Sequence, residues 1–142
     1  MPIGYLRREP PASIELIAQL EGRIGHSLPD DYRQYLLQQD GGRIDNNTRA
    51  VDTVFSLGDV PDYASMWDKL GTYQERVPSW LLPVADDSTG NLYAISVRPD
   101  DYGSVWFWDH EEEADEGDPP SEDNITRTAQ NWAVFLDSLQ AL

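Results

Sequence analysis

The chain has 142 residues, no cysteine, and 26 acidic against 10 basic side chains, which gives a formal net charge of -16. This length fits one domain, and the lack of cysteine excludes disulfides, thiolate catalysis and cysteine-ligated zinc. The acidity argues against nucleic-acid binding, because affinity for phosphate rests on Lys and Arg, and it favours a basic protein partner. The alternative is that the charge serves solubility alone.

The first residues carry no pattern typical of a secretory signal. Arg7 and Arg8 follow a very short apolar stretch, and Pro10 and Pro11 come directly afterwards, so no apolar signal region forms. No later stretch is apolar over the length that a membrane-spanning helix needs. We therefore expect a cytoplasmic protein that makes no contact with a membrane.

The first predicted helix follows a proline-bounded arm. Ser13 is a residue type that caps helices, and Ile14, Ile17, Leu20 and Ile24 then recur at helical spacing. This pattern predicts a helix whose apolar face belongs to the core.

A second helix is predicted to begin near Pro29, where a proline and two acids occupy the first turn. Tyr32, Tyr35 and Leu36 share its inner face. The glycine after Asp40, Gly41, predicts the helix end, because glycine adopts the left-handed conformation of a C-terminal residue at little cost.

The middle of the chain changes to strand patterns. They occur in residues 51–57, 80–85, 92–97 and 104–110. Turn composition at residues 86–91 and 98–103 separates the last three, which are therefore expected to pair antiparallel. Pro83 favours a strand that starts there or lies at a sheet edge. Residues 63–73 predict a short helix or an irregular segment.

Residues 109–120, called the acidic loop below, are almost entirely acids and helix breakers. The run closes with Pro119 and Pro120 and has little apolar surface to bury, so it predicts a solvated and mobile loop. A last helix is predicted over residues 125–140, because Trp132 and Phe135 follow helical spacing and are expected to dock on the sheet.

Four blocks and the C-terminal segment carry a resemblance to a known group of proteins. The blocks are Leu-Glu at residues 20–21 with Leu-Pro-Asp-Asp-Tyr at 28–32, Leu-Leu at 36–37 through Asp-Gly-Gly at 40–42, Leu-Pro-Val-Ala-Asp-Asp-Ser-Thr-Gly-Asn-Leu-Tyr-Ala-Ile at 82–95, and Gly-Ser-Val-Trp-Phe-Trp-Asp-His-Glu at 103–111. In order and spacing they resemble the SUKH superfamily, which includes the yeast Smi/Knr cell-wall assembly regulators. The resemblance covers about residues 14–139.

This resemblance implies an α+β fold in which N- and C-terminal helices cover an antiparallel sheet. It implies one domain over residues 1–142, with its core at about residues 13–140. Bacterial relatives look like immunity proteins that bind and neutralise toxin domains, often nucleases or deaminases, and no shared catalytic residues come with them. The aromatic run at residues 106–108 and the length of the acidic loop depart from the family pattern, which makes the loop a candidate recognition surface.

The predicted partner-binding residues are acids and tryptophans. The loop contributes Asp109, Glu111, Glu112, Glu113, Asp115, Glu116 and Asp118, the turn before it contributes Asp86 and Asp87, and the strand between them contributes Trp106 and Trp108. A dense run of carboxylates can occupy the basic surface with which a nuclease toxin holds phosphates. The alternative is a solvated linker without a partner.

The two tryptophans have a second interpretation. Trp106 and Trp108 project to one face of their strand, and Val105 and Phe107 to the other, so both faces are apolar. An exposed tryptophan pair is a natural interface anchor, whereas core packing is the favoured interpretation. Nothing else in the chain supports stacking on sugar rings.

Catalysis, a cofactor and a resident metal are not predicted. His26 and His110 are far apart in sequence, and no serine lies in a nucleophile elbow. The turn that starts at Asp86 fails the calcium-loop spacing, because the twelfth position holds Val97 instead of glutamate. A weak divalent-ion site among the loop carboxylates is left open.

These features predict a non-catalytic protein-binding domain. The first interpretation is an immunity protein that neutralises a bacterial toxin domain of the nuclease type. The alternative is an intracellular regulatory or scaffolding module of the Smi/Knr type that engages several protein partners weakly.

Overall fold

The computed structural model describes residues 3–142. This part of the chain forms the helices α1 (Ile14–Ile24), α2 (Asp30–Gln38), α3 (Met66–Thr72) and α4 (Trp132–Ser138). It also forms the strands β1 (Tyr5–Arg8), β2 (Gly42–Ile44), β3 (Val51–Val54), β4 (Leu81–Asp87), β5 (Leu92–Ser96), β6 (Val105–Trp108) and β7 (Ile125–Ala129). Short 3-10 turns occupy Asp62–Ala64, Pro99–Asp101 and His110–Glu112.

The strands form one meander in which each strand pairs antiparallel with the next. The predicted α+β class is confirmed, and so is the antiparallel pairing of β4, β5 and β6. The edge position considered for residues 80–85 is wrong, because β4 lies between β3 and β5. Pro83 is tolerated there because pairing with β3 begins only at Ala85, opposite Val54, and the register with β5 shifts after the proline.

Helix α1 begins and ends as local sequence predicts. The Ser13 hydroxyl accepts a hydrogen bond from the Leu16 amide at 3.1 Å, and Gly25 ends the helix at φ +75°. Ile17 and Leu20 are buried, but Ile14 is 73% exposed, so its assignment to the core was wrong. Ile14 is the first residue of the helix, and the buried contacts begin one turn later.

Helix α2 ends earlier than predicted and without a left-handed glycine. Gln39, which follows its last turn, is extended. Gly41 does have φ +76°, but a β-carbon there would lie 2.4 Å from the Val54 carbonyl oxygen and 2.8 Å from that of Phe55. This glycine therefore lets the chain approach β3 closely, and the predicted role as a helix terminator is wrong.

The sequence pattern missed three strands. β1 and β2 lie in segments assigned to an arm and to a helix end, and β7 lies where the last helix was predicted to begin. Ile125, Thr126 and Thr128 are β-branched and suit a strand. Asn131 then starts α4 by accepting a hydrogen bond from the Val134 amide at 2.8 Å, so the helix occupies only Trp132–Ser138.

The sheet is covered on both faces around β5 and β6. On one face, Tyr93 packs against Phe107 and against Phe135 of α4, with ring centroids 5.3 and 4.9 Å apart. On the other face, Trp106 and Trp108 lie under the segment that joins α3 to β4. The chain therefore covers part of both aromatic faces of its own sheet, with Trp106 and Phe107 half-buried, and this arrangement places the acidic loop beside the α3–β4 segment.

Candidate protein-binding surface

The acidic loop is closed at its base by hydrogen bonds. The Asp109 amide donates to the Asn124 carbonyl at 3.0 Å, and the Asn124 side-chain amide returns a bond to the Asp109 carbonyl at 2.9 Å. The Asp109 carboxylate accepts from the Glu111 amide at 3.0 Å and starts the 3-10 turn. The loop therefore leaves the sheet at fixed points.

Most of the loop acids face solvent. Glu111, Glu112, Asp115, Glu116 and Asp118 are exposed, while Asp109 and Glu113 are half-buried. Within residues 3–142, only Glu113 among the seven loop acids forms an ion pair. Six carboxylates of the loop are thus left without a cationic partner inside the described chain.

Arg76 ties the loop to the α3–β4 segment. Its guanidinium donates two hydrogen bonds to the Glu113 carboxylate, at 2.8 and 3.2 Å. The hydrogen bond to Glu113 raises the pKa of Arg76. The same guanidinium lies 4.8 Å from the ring centroid of Tyr73 and 5.9 Å from that of Trp108. A residue that sequence reasoning did not select therefore holds the candidate loop in place.

An acidic cleft lies between the loop and residues 74–76. It encloses about 990 Å³, and its charged lining consists of loop acids, Glu75, Arg76 and His110. Because Arg76 is already paired with Glu113, the cleft is suited to receive cationic side chains. Acids outnumber bases in this lining, so the cleft is a concave surface of negative charge.

The turn between β4 and β5 adjoins the loop base, since the His110 amide donates to the Asn91 side chain at 3.0 Å. The Asp87 carboxylate accepts from the amides of Thr89 and Asn91, at 2.8 and 3.0 Å. Burial by itself raises the pKa of Asp87, but hydrogen bonds from Asn91 and Thr89 outweigh burial and lower it. Asp87 therefore holds the turn together.

Asp86 has the opposite environment. Its carboxylate accepts a hydrogen bond from the Thr53 amide at 3.1 Å, and burial raises its pKa to about 7, with the charge on Asp52 adding to the effect. Asp86 is thus only partly ionised at neutral pH. Asp86 and Asp87 are both engaged inside the fold, which sets them apart from the exposed loop acids.

The two tryptophans pack under the α3–β4 segment. Trp108 is fully buried and meets Tyr73 edge-on at 5.6 Å, and Trp106 is half-buried and meets Trp80 edge-on at 5.4 Å. The favoured interpretation, core packing, is therefore correct for Trp108. A side chain without exposed surface cannot anchor a partner while the fold is intact, so the exposed-anchor alternative is wrong for Trp108.

Sequence reasoning missed an apolar groove beside the acidic cleft. The groove encloses about 610 Å³, and Leu70, Tyr73, Trp80 and Leu82 contribute to its walls. In the sequence these residues have the same pattern as core residues, and only the course of the α3–β4 segment shows that part of their surface lines an open groove.

The described residues offer no grouping of three His, Asp or Glu side chains with the geometry of a metal site. His26 is exposed beyond the end of α1, whereas His110 is half-buried at the loop base. No helix in residues 3–142 combines the length and apolarity needed to cross a membrane.

Together these features define a small α+β protein that presents an acidic loop beside an antiparallel meander. The chain belongs to the SMI1 / KNR4 family (SUKH-1), whose model matches residues 11–138. It is also similar to the SPbeta prophage-derived uncharacterized protein YokK of Bacillus subtilis (strain 168), with 24% identity over 123 residues. That match covers 68% of this chain, and the chain spans 62% of the length of YokK.

Proposed function

We propose that this protein is a non-catalytic immunity protein that binds and neutralises a basic toxin domain of the nuclease type. The observation that carries the proposal is the acidic loop, which holds six carboxylates without a cationic partner in residues 3–142. A nuclease domain needs cationic side chains to hold phosphates, and the same side chains attract a dense acidic surface.

Two further observations support this proposal. The hydrogen bonds at the loop base and the Arg76–Glu113 pair fix the loop on the sheet, which lowers the ordering cost of binding. The net charge of -16 adds a long-range attraction that speeds encounter with a basic domain at low salt. In addition, the bacterial members of the SUKH superfamily, which this chain resembles, look like immunity proteins.

The first test identifies the partner. The tagged protein is used to capture proteins from a lysate and secreted fraction of the source organism, and the complex is washed at low and at moderate salt. We expect one basic toxin domain, identified by mass spectrometry and released as salt rises. Capture of several housekeeping proteins would instead support the regulatory or scaffolding module.

The second test uses the captured toxin domain and a loop variant. Amides replace the exposed loop acids, Glu111, Glu112, Asp115, Glu116 and Asp118. A matched control replaces exposed acids elsewhere, Glu15, Asp45, Asp59, Asp62 and Asp137, so that both variants lose the same charge. We expect association at low salt to slow about tenfold more in the loop variant than in the control. Equal slowing would reject the loop as the contact surface.

A further inference from the structure

The apolar groove and the acidic cleft adjoin each other. Gln74, Glu75 and Pro120 line both of them, so one surface runs from the walls of the groove to the carboxylates of the loop. A single segment of a partner is therefore able to contact apolar side chains and acids together.

The walls of the groove are held in place by packing. The Arg98 guanidinium lies 3.4 Å from the ring centroid of Trp80, and Trp106 of β6 packs edge-on against the same ring. Leu70 and Tyr73 are half-buried, so each keeps part of its apolar surface accessible. Preformed apolar concavities of this kind accept the anchor side chains of a protein interface at low ordering cost.

The junction of the two sites has an unusual backbone. Glu75 has φ +68°, a conformation that residues other than glycine rarely adopt. Its side chain is exposed at the boundary of groove and cleft. The turn thus places an acid where a partner's basic residue would leave the groove for the cleft.

Charge sets the direction of the expected contact. Arg23 and Lys69 also line the groove, and Lys69 is already paired with Asp68 at 3.3 Å. Glu75 and Glu122 also line the groove, and the further acids of the loop begin beyond Glu75, where the groove meets the cleft. A partner's basic residues are therefore favoured on that side and disfavoured beside Arg23.

We propose that the groove receives an apolar side chain of the protein partner, from a segment whose neighbouring Arg or Lys residues enter the acidic cleft. This inference rests on the proposed function and specifies the chemistry of the bound segment. The apolar anchor would supply affinity, and the acidic cleft would supply attraction and orientation.

The test is an NMR titration of the isotope-labelled full chain with two synthetic peptides. The first peptide has two phenylalanines between two pairs of arginines, and the second has two serines in place of the phenylalanines. We expect the phenylalanine peptide to shift the backbone amides of residues 70–82 and of the acidic loop, and to bind about tenfold more tightly than the serine peptide. The serine peptide is expected to shift only the loop.

A pair of variants adds an independent measurement. Leu70→Glu places a charge in the groove, and Ile14→Glu makes the same change at a helical isoleucine that is 73% exposed and does not line the groove. We expect Leu70→Glu to abolish the advantage of the phenylalanine peptide and Ile14→Glu to preserve it. Thermal melting of both variants checks that they fold, and the wild-type titration does not depend on them.

The outcomes separate this inference from the proposed function. Equal binding of the two peptides, with shifts in the loop alone, would overturn the groove and leave the acidic contact surface standing. A lack of shifts with either peptide would count against both. Shifts in residues 70–82 that appear on raising the protein concentration alone would assign the groove to a second copy of the chain and overturn its role as a partner site.

Discussion

Asp86 and Asp87 are neighbours on β4, yet their carboxylates meet opposite environments. Burial raises the pKa of Asp86 to about 7, and hydrogen bonds from Asn91 and Thr89 lower the pKa of Asp87 despite its burial. The substitutions Asp86→Asn and Asp87→Asn should therefore change the free energy of unfolding with different pH dependences, although they remove the same charge.

The sign of the Asp86 effect follows from proton binding. Between pH 3.8 and about 7 the folded state keeps a proton that the unfolded state has lost, so this group reduces stability as pH rises through that window. At about 1.36 kcal/mol per pKa unit, the largest possible cost is about 4 kcal/mol at high pH, and about 2 kcal/mol of it develops between about pH 5.5 and about pH 8. An asparagine at position 86 does not titrate, so the substitution removes this pH-dependent cost.

The assay is urea unfolding of each variant and of the wild type at both pH values. Relative to the wild type, Asp86→Asn should gain about 2 kcal/mol in unfolding free energy from the lower to the higher pH. Comparing two pH values cancels any cost of the amide that does not depend on pH.

Asp87→Asn is the matched control. Asp87 is ionised in both the folded and the unfolded state over this range, because its folded-state pKa is lowered from 3.8. The substitution Asp87→Asn should lower the free energy of unfolding by about 1 to 2 kcal/mol equally at both pH values, because hydrogen bonds to the carboxylate are lost. If the effect of Asp86→Asn did not depend on pH, the raised pKa of the Asp86 carboxyl would be refuted.

Two further predictions concern the loop anchor and a tight backbone contact. Arg76→Gln, which breaks the pair with Glu113, should cost no more than about 1 kcal/mol of global stability but speed amide hydrogen exchange in the acidic loop. The control Arg43→Gln breaks the pair with Asp52 and should leave loop exchange unchanged. Equal exchange rates in the wild type and both variants would contradict the role of Arg76 as the loop anchor. Gly41→Ala should cost at least about 2 kcal/mol in urea unfolding, because its β-carbon meets two carbonyl oxygens. Gly22→Ala, in open space on α1, should stabilise by about 0.5 to 1 kcal/mol, and similar losses at the two glycines would contradict the role assigned to Gly41.

Local signals predicted the elements that depend on neighbouring residues. The cap at Ser13 and the turns between β4, β5 and β6 follow from side chains a few residues away, and the structure confirms them. The segment at Ile125 shows the limit of such signals. Its β-branched residues form a strand because β6 lies beside them, whereas the helical spacing that starts at Trp132 predicts a helix and does not mark where that helix begins.

The short edge strands show the same limit. β1 pairs with β2 across more than thirty residues of chain, with Tyr5 opposite Ile44, and neither segment has a strand pattern of its own. Pairing over that distance is decided by the fold as a whole, since each short strand gains its hydrogen bonds only when its neighbour is in place.

By itself, the sequence determined the charge of this protein and where that charge is concentrated, because formal charge and its position along the chain do not depend on folding. Only the tertiary structure decided which of the candidate binding residues remain exposed. Glu113 is bound by Arg76, Asp86 is half-buried with a raised pKa, and Trp108 is covered by Tyr73. Burial and pairing act through space between residues distant in sequence, so the candidate contact surface exists only in the folded chain.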